Sequence, residues 1–225
     1  MSTFNLNTLF TNEQLENIEL AGLNVVVAKP EGGNNPNVAW QVYKPLQANT
    51  LSWEEEYGIY ASTSEVTNGA RLSQLSSQPV GALQNQLYTL ETSGAISGPI
   101  GGGAPNAYAL ENKYDNKPYM TIGLFQNANV NGTEIAGNAI SAVPTLIGHK
   151  AVMTPFTTLY IWLERNVVSN TVVTNVTSRM TRLRFGGGVN TISVAYDSKL
   201  GMFIPTGDES KALDVSRVTS IDPSL

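Results

Sequence analysis

Between clusters of Gly, Pro, Asn and Ser the chain repeats short alternating or β-branched runs, the rhythm of an all-β sandwich or barrel. These runs predict strands near 38–44, 50–62, 70–75, 86–91, 106–113, 118–127, 133–141, 157–165, 171–177, 179–185, 189–196 and 200–204. An earlier strand, Asn24-Val25-Val26-Val27-Ala28-Lys29, stops at Pro30. Period-two alternation puts Val38, Trp40 and Val42 on the core face of one strand, opposite Ala39, Gln41 and Tyr43. Met120, Ile122 and Leu124 repeat the pattern, as do Leu159, Ile161 and Leu163, whose strand carries Tyr160, Trp162 and Glu164 on its other face. A strand that is apolar on both faces belongs in the middle of a sandwich.

One segment reads as helix. Thr11-Asn12-Glu13-Gln14 has capping-box spacing, Leu15, Ile18 and Leu20 supply apolar contacts, and Gly22 is a natural stop, which predicts a helix over about 12–21. Two stretches, Asn49-Thr50-Leu51-Ser52 with Tyr57-Gly58-Ile59-Tyr60 and Asn190-Thr191-Ile192-Ser193 with Leu200-Gly201-Met202-Phe203, echo one another as strand, turn, strand. No linker with a composition shift divides the chain. The expectation is an all-β, single-domain β-sandwich of jelly-roll-like kind over 1–204, with one short N-terminal helix and a polar C-terminal tail over 205–225.

Composition narrows the classes. Asp and Glu total 18 against 13 Lys and Arg, a net charge of -5, and the basic residues are few and scattered, so no nucleic-acid partner is expected. A hydrophobic fraction of 41% argues against disorder. The chain has no cysteine, which removes disulfides, thiol catalysis and thiolate metal sites, and His149 is its single histidine. There is no apolar run of spanning length and no charged and apolar leader after Met1, so the chain reads as cytoplasmic at synthesis, with release requiring a signal-independent route or a processed precursor.

Candidate chemistry is sparse. No nucleophile elbow, zinc-protease helix or calcium loop occurs, so no catalytic residue is assigned, and the protein is expected to be non-enzymatic and without a cofactor. Glu54-Glu55-Glu56 is the densest charge cluster, and on a strand Glu54 and Glu56 share a face, the arrangement of a weak metal site or an acid and base on a sugar; its plain reading is a solvated strand end. His149 reads as a surface or turn residue and Asp115 as a turn residue. Arg182 and Arg184 share a strand face, with Arg179 opposite, and could hold an anion or pair across strands. The uncharged stretch 92–106 reads as a long flexible connection, with a mobile lid or inserting tongue as its functional alternative, and Gly186-Gly187-Gly188 as a sharp turn. Two glycosylation-like triplets, Asn131-Gly132-Thr133 and Asn175-Val176-Thr177, read most simply as a turn and a strand.

The aromatic residues give the binding hint. Trp53, Tyr57, Tyr60, Tyr160 and Trp162 lie on expected strands in a chain rich in Asn, Ser and Thr, and flat aromatic faces beside neutral hydrogen-bonding groups suit sugars; ordinary β-core aromatics are the plain reading. The expectation is therefore a lectin-like protein acting through its surface on a glycan or cell-surface ligand. Alternatives are a self-assembling structural protein, such as a coat or inclusion component built as a homo-oligomer, and a pore-former whose amphipathic segment 167–182 inserts into a membrane. A hydrolase using Glu54 or Glu56 ranks last.

Overall fold

The computed structural model describes residues 3–30, 32 and 35–207. Its strands and helix, in chain order, are β1 (Thr3–Leu9), α1 (Asn12–Leu20), β2 (Leu23–Ala28), β3 (Val38–Ala39), β4 (Gln41–Tyr43), β5 (Ala48–Glu54), β6 (Gly58–Ser62) and β7 (Gln74–Gln78). There follow β8 (Gln86–Leu90), β9 (Ile96–Gly101), β10 (Tyr108–Asn112), β11 (Tyr119–Val130), β12 (Thr133–Ala139), β13 (Val143–Leu146) and β14 (Lys150–Met153). The last are β15 (Thr158–Arg165), β16 (Thr171–Val172), β17 (Thr181–Arg184), β18 (Thr191–Asp197) and β19 (Met202–Pro205). Strands hold 53% of the residues and helix 4%, so the fold is all-β with a short N-terminal helix. Residues 208–225, most of the expected polar tail, lie outside the described residues.

The helix forms where its caps require. The Gln14 amide donates to Thr11 Oγ1 at 3.2 Å and the Thr11 amide to Gln14 Oε1 at 2.9 Å, closing the capping box. Gly22, at φ +64°, ends the turn as only a residue without Cβ does cheaply. Ile18 is buried, but Leu20 is 87% exposed, so it adds nothing to the helix contact face expected of it.

Three sheets enclose one core. The largest has nine strands in the order β19-β18-β1-β5-β11-β6-β7, with β12 and β13 also bonded to the long β11. Two four-stranded sheets, β17-β15-β2-β4 and β14-β10-β8-β9, complete the enclosure, and a two-stranded ladder joins β16 to β3. Leu6, Leu51, Ile122 and Ile192 of the large sheet meet Val27, Ile161 and Leu183 of the first small sheet and Tyr88, Leu110 and Met153 of the second in a single cluster. Most ladders are antiparallel; β1 with β18 and β8 with β10 are parallel. As its two apolar faces require, β15 is central, with Leu159, Ile161 and Leu163 in the main cluster and Tyr160 and Trp162 in a second. The second cluster is closed by Val173, Val176 and Met180 from the chain that follows β15, so the expected strand 171–177 is a strand only at Thr171–Val172.

Two further expectations are corrected. Val38, Trp40 and Val42 do not share a face, because the strand breaks at Trp40, whose amide donates to the Val27 carbonyl at 3.0 Å, and the pleat loses its period of two. Trp40 and Tyr43 consequently join the main core, Ala39 and Val42 the second cluster, and Val38 a third with Tyr60 and Phe125. Within 92–106, Ile96–Gly101 is no loose connection but the edge strand β9, paired antiparallel with β8. The echoed segments also differ: β18 and β19 form a hairpin, whereas β5 and β6 each pair with β11. The triple glycine does make the sharp turn, with φ of +89°, +61° and +96° at Gly186, Gly187 and Gly188.

Candidate functional site

The end of β5 sorts its side chains by alternation. Trp53 points into the core, Glu54 is exposed, and after the strand ends Glu55 turns back inward while Tyr57 is buried again. Lys29, directly after β2, meets them there at 1% exposure. Its Nζ lies 3.0 Å from Glu55 Oε1 and donates to Tyr57 Oη at 3.4 Å, with the rings of Trp40, Trp53 and Tyr57 centred 5.3, 5.2 and 5.4 Å away. The same carboxylate accepts from Trp53 Nε1 at 2.9 Å and from the Tyr57 hydroxyl.

A buried ammonium survives only if it is paired, and here a carboxylate and three ring faces supply the pairing. Burial pushes the Lys29 ammonium below its ordinary value, against the pull of Glu55. Burial raises the Glu55 carboxyl, but the Lys29 charge and the hydrogen bonds from Tyr57, Lys29 and Trp53 together outweigh it and hold the group below the usual carboxylate value. Burial, with the Glu55 charge beside it, raises Tyr57 well above the ordinary phenol. With Lys29 enclosed and Glu55 27% exposed, this cluster ties the end of β2 to the end of β5.

The aromatic residues expected to form a ligand platform are therefore spent inside. Trp53 and Tyr57 wrap the Lys29–Glu55 pair; Tyr60 donates to the Ser141 carbonyl at 2.7 Å; Tyr160 and Trp162 lie under Val173, Val176 and Met180. Their exposures, 3%, 2%, 0%, 4% and 0% in the order Trp53, Tyr57, Tyr60, Tyr160, Trp162, leave no open ring face for a sugar to stack on. The expected strand 50–62 is broken at 55–57, so Tyr57 lies between β5 and β6 while the other four are strand residues, and alternation cannot say which strand face another part of the chain covers.

What the outer surface of the nine-stranded sheet presents is polar. Paired registers set Thr191, Asn5, Ser52, Asn129 and Glu134 side by side across β18, β1, β5, β11 and β12. Beside them Asn7 Nδ2 donates to Ser193 Oγ at 3.3 Å and Thr50 Oγ1 to Asn7 Oδ1 at 3.0 Å. Where this surface reaches the β11–β12 hairpin an open cleft of about 400 Å³ is lined by Thr3, Ser52, Asn127 and Asn129, by the carboxylates Glu54, Glu56 and Glu134, by Val80 and Ile135, and by the edge of the buried Trp53. Glu54 and Glu56 thus meet at this cleft, with Glu134, which the sequence reading missed because it lies on another strand. Among the described residues no group of three or more His, Asp or Glu side chains is placed to hold a metal ion.

The remaining candidates stay apart. His149 is exposed in the turn before β14, and Asp115 is exposed in the loop before β11. Arg182 and Arg184 lie on β17, while Arg179 Nη1 donates to the Leu200 carbonyl at 3.1 Å. Asn131, at φ +52°, uses its side-chain oxygen to accept from the Thr50 amide at 2.9 Å, so it serves a turn. The apolar residues of 167–182 are largely spent on the second cluster. Among the described residues no helix is long and apolar enough to cross a membrane. Comparison with family models, with curated proteins and with solved structures finds no match to this chain.

Proposed function

We propose that the protein is a non-enzymatic binding protein whose ligand is a glycan, held at the cleft beside β5, β11 and β12. The observation that carries this reading is the cross-strand row of Asn, Ser and Thr side chains running into the three carboxylates Glu54, Glu56 and Glu134. Amides and hydroxyls at sheet spacing offer donors and acceptors that match sugar hydroxyls, and carboxylates accept from pairs of hydroxyls. A volume of about 400 Å³ falls in the range that takes one or two sugar rings. Binding here rests on hydrogen bonds to a rigid sheet, in place of the aromatic stacking the sequence suggested.

A glycan array followed by titration calorimetry tests the proposal. Asn129→Ala and Glu134→Gln change exposed or half-exposed side chains of the row, and each is expected to weaken the ligand by about 1–2 kcal/mol, the scale of a lost hydrogen bond to a polar or charged group. Binding that survives both substitutions, or an array with no ligand at all, overturns the reading.

A further inference from the structure

The cleft beside β5, β11 and β12 continues across β12 into a second hollow. Between the pairs Ala128–Ile135 and Gln126–Asn138 the β11–β12 ladder slips, so that Ala136 and Gly137 together oppose Asn127, a β-bulge. Gly137 takes φ +76°, and a Cβ there would meet nothing within 4 Å. The bulge is fixed from both sides: the Gly137 amide donates to Asn127 Oδ1 at 2.9 Å, and its carbonyl accepts from Gln74 Nε2 at 2.8 Å. Ala136 is exposed and lines the cleft on one side and the hollow on the other, so the two open spaces meet over a low saddle of small residues.

The hollow, of about 710 Å³, has its own chemistry. Exposed Arg71, Ser73 and Gln74 line it above the buried Leu72 and Ala139. Asn170 forms a rigid wall, its side-chain oxygen accepting from the Ala139 amide at 2.7 Å and its Nδ2 donating to Asn138 Oδ1 at 2.9 Å. Arg71 is placed by a backbone bridge to Thr171 and is the one charged residue lining this hollow. Among the described residues no carboxylate pairs with it, in a chain whose net charge is -5.

We infer that the glycan of the cleft is an oligosaccharide that crosses the Ala136–Gly137 saddle and ends in one acidic sugar, whose carboxylate is held by Arg71. This rests on the glycan reading and names the class of ligand. A guanidinium fork matches a carboxylate with two parallel hydrogen bonds, and the Ser73 hydroxyl and the Gln74 amide flank it to meet the hydroxyls of the same sugar. Across the saddle, Glu54, Glu56 and Glu134 accept from the hydroxyls of a neutral sugar and repel a charged one. The acidic sugar is therefore confined to the Arg71 end, and a chain that is charged at every sugar is disfavoured by the carboxylates at the other.

The probes are arrayed oligosaccharides, each carboxylated one beside its carboxyl-reduced and its sulfated form, with the bound ones titrated by calorimetry against the full chain. Oligosaccharides with a single terminal carboxylated sugar are expected to bind about tenfold more tightly than their reduced forms, the scale of a hydrogen-bonded charge pair. Arg71→Gln, at an exposed position, is expected to remove that preference while leaving both the affinity for the reduced forms and the melting temperature unchanged. Ala136→Tyr raises the saddle, and is expected to weaken the longer oligosaccharides about tenfold while a single sugar in the cleft binds as before. Glu134→Gln is expected to weaken carboxylated and reduced forms alike. Equal affinity for the two forms, with Glu134→Gln weakening both, overturns this inference and leaves the glycan reading standing. A preference for the sulfated form, or one for the carboxylate that survives Arg71→Gln, overturns it as well, and an array with no bound glycan overturns both.

Discussion

The sheets β17-β15-β2-β4 and β14-β10-β8-β9 have the same number of strands and both turn one face to the common core, yet their outer faces are closed to different degrees. The first carries Tyr160 and Trp162 outward, too much apolar area to leave wet, and the chain after β15 folds back to cover it. The second alternates its outward apolar residues with Thr89, Glu111 and Lys150; on its middle strands Leu87, Thr89 and Ala109 are buried, and on its edge strands Val152 and Ile100 are about half exposed. The difference between the two outer faces is thus one of degree, and it follows the character of the outward residues, set strand by strand.

The sharpest way to break this comparison is to shave one side chain from each outer face. Trp162→Ala is expected to cost about 3–5 kcal/mol, the range for truncating a buried aromatic, whereas Val152→Ala is expected to stay within about 0.5 kcal/mol. Urea unfolding of the two variants checks both, and similar costs would mean that the two faces are equally buried.

A smaller effect comes from the buried charge pair where the end of β2 meets the end of β5. Glu55→Gln leaves the Lys29 ammonium buried without its counter-charge and is expected to cost about 3 kcal/mol. Lys29→Met removes the charge itself, leaves Glu55 accepting from Trp53 and Tyr57, and is expected to cost less. The pair also sets a pH dependence. Glu55 has a folded value below its unfolded 4.5, so its contribution is present above pH 4.5 and is lost as pH falls through the folded value. Lys29, lowered from 10.5 by burial, holds its proton less tightly folded than unfolded, so its contribution rises with pH up to 10.5. Melting curves from pH 7 to 3 are expected to fall steeply for the wild type below pH 4.5 and less steeply for Glu55→Gln.

The smallest effect concerns the edge of the second sheet. Because β9 is hydrogen-bonded to β8 over Ile96–Gly101, a broad-specificity protease is expected to cut first at 91–95 or 102–106 and spare the strand between. Mass mapping of early fragments distinguishes this from cleavage within β9.

The sequence made the all-β class, the capped helix and the two-faced β15 readable because each rests on a local signal: alternation, a capping box, an apolar run without a polar side. Less local features escaped. β1 alternates in Phe4, Leu6 and Thr8, but its partners β5 and β18 lie far along the chain, and no local pattern names them. β9 has no pattern of its own, since Gly98, Pro99 and Gly101 become strand only through the ladder to β8. Glu54 and Glu56 were singled out as sharing a face, and they do line one cleft; the inward turn of Glu55 depends on Lys29, 26 residues away, which no local pattern pairs with it. The aromatic residues show why strand membership is not exposure, because the cover on Tyr160 and Trp162 comes from a later segment.

The parallel ladder between β1 and β18 has a consequence for how the chain acquires its shape. β1 sits between β5 and β18, and its side chains reach partners as far off as Asn7 to Ser193, 186 residues along the chain. At roughly 5–20 residues per second on a ribosome, that separation is a wait of roughly 10–40 s between the making of β1 and the making of the strand that seals its second edge. During that interval β1 is a strand with a vacant row of amides and carbonyls, open to any other extended segment. The β18–β19 hairpin therefore acts as the latch of the nine-stranded sheet, and the time before it closes is when a growing chain is most open to mispairing with its neighbours.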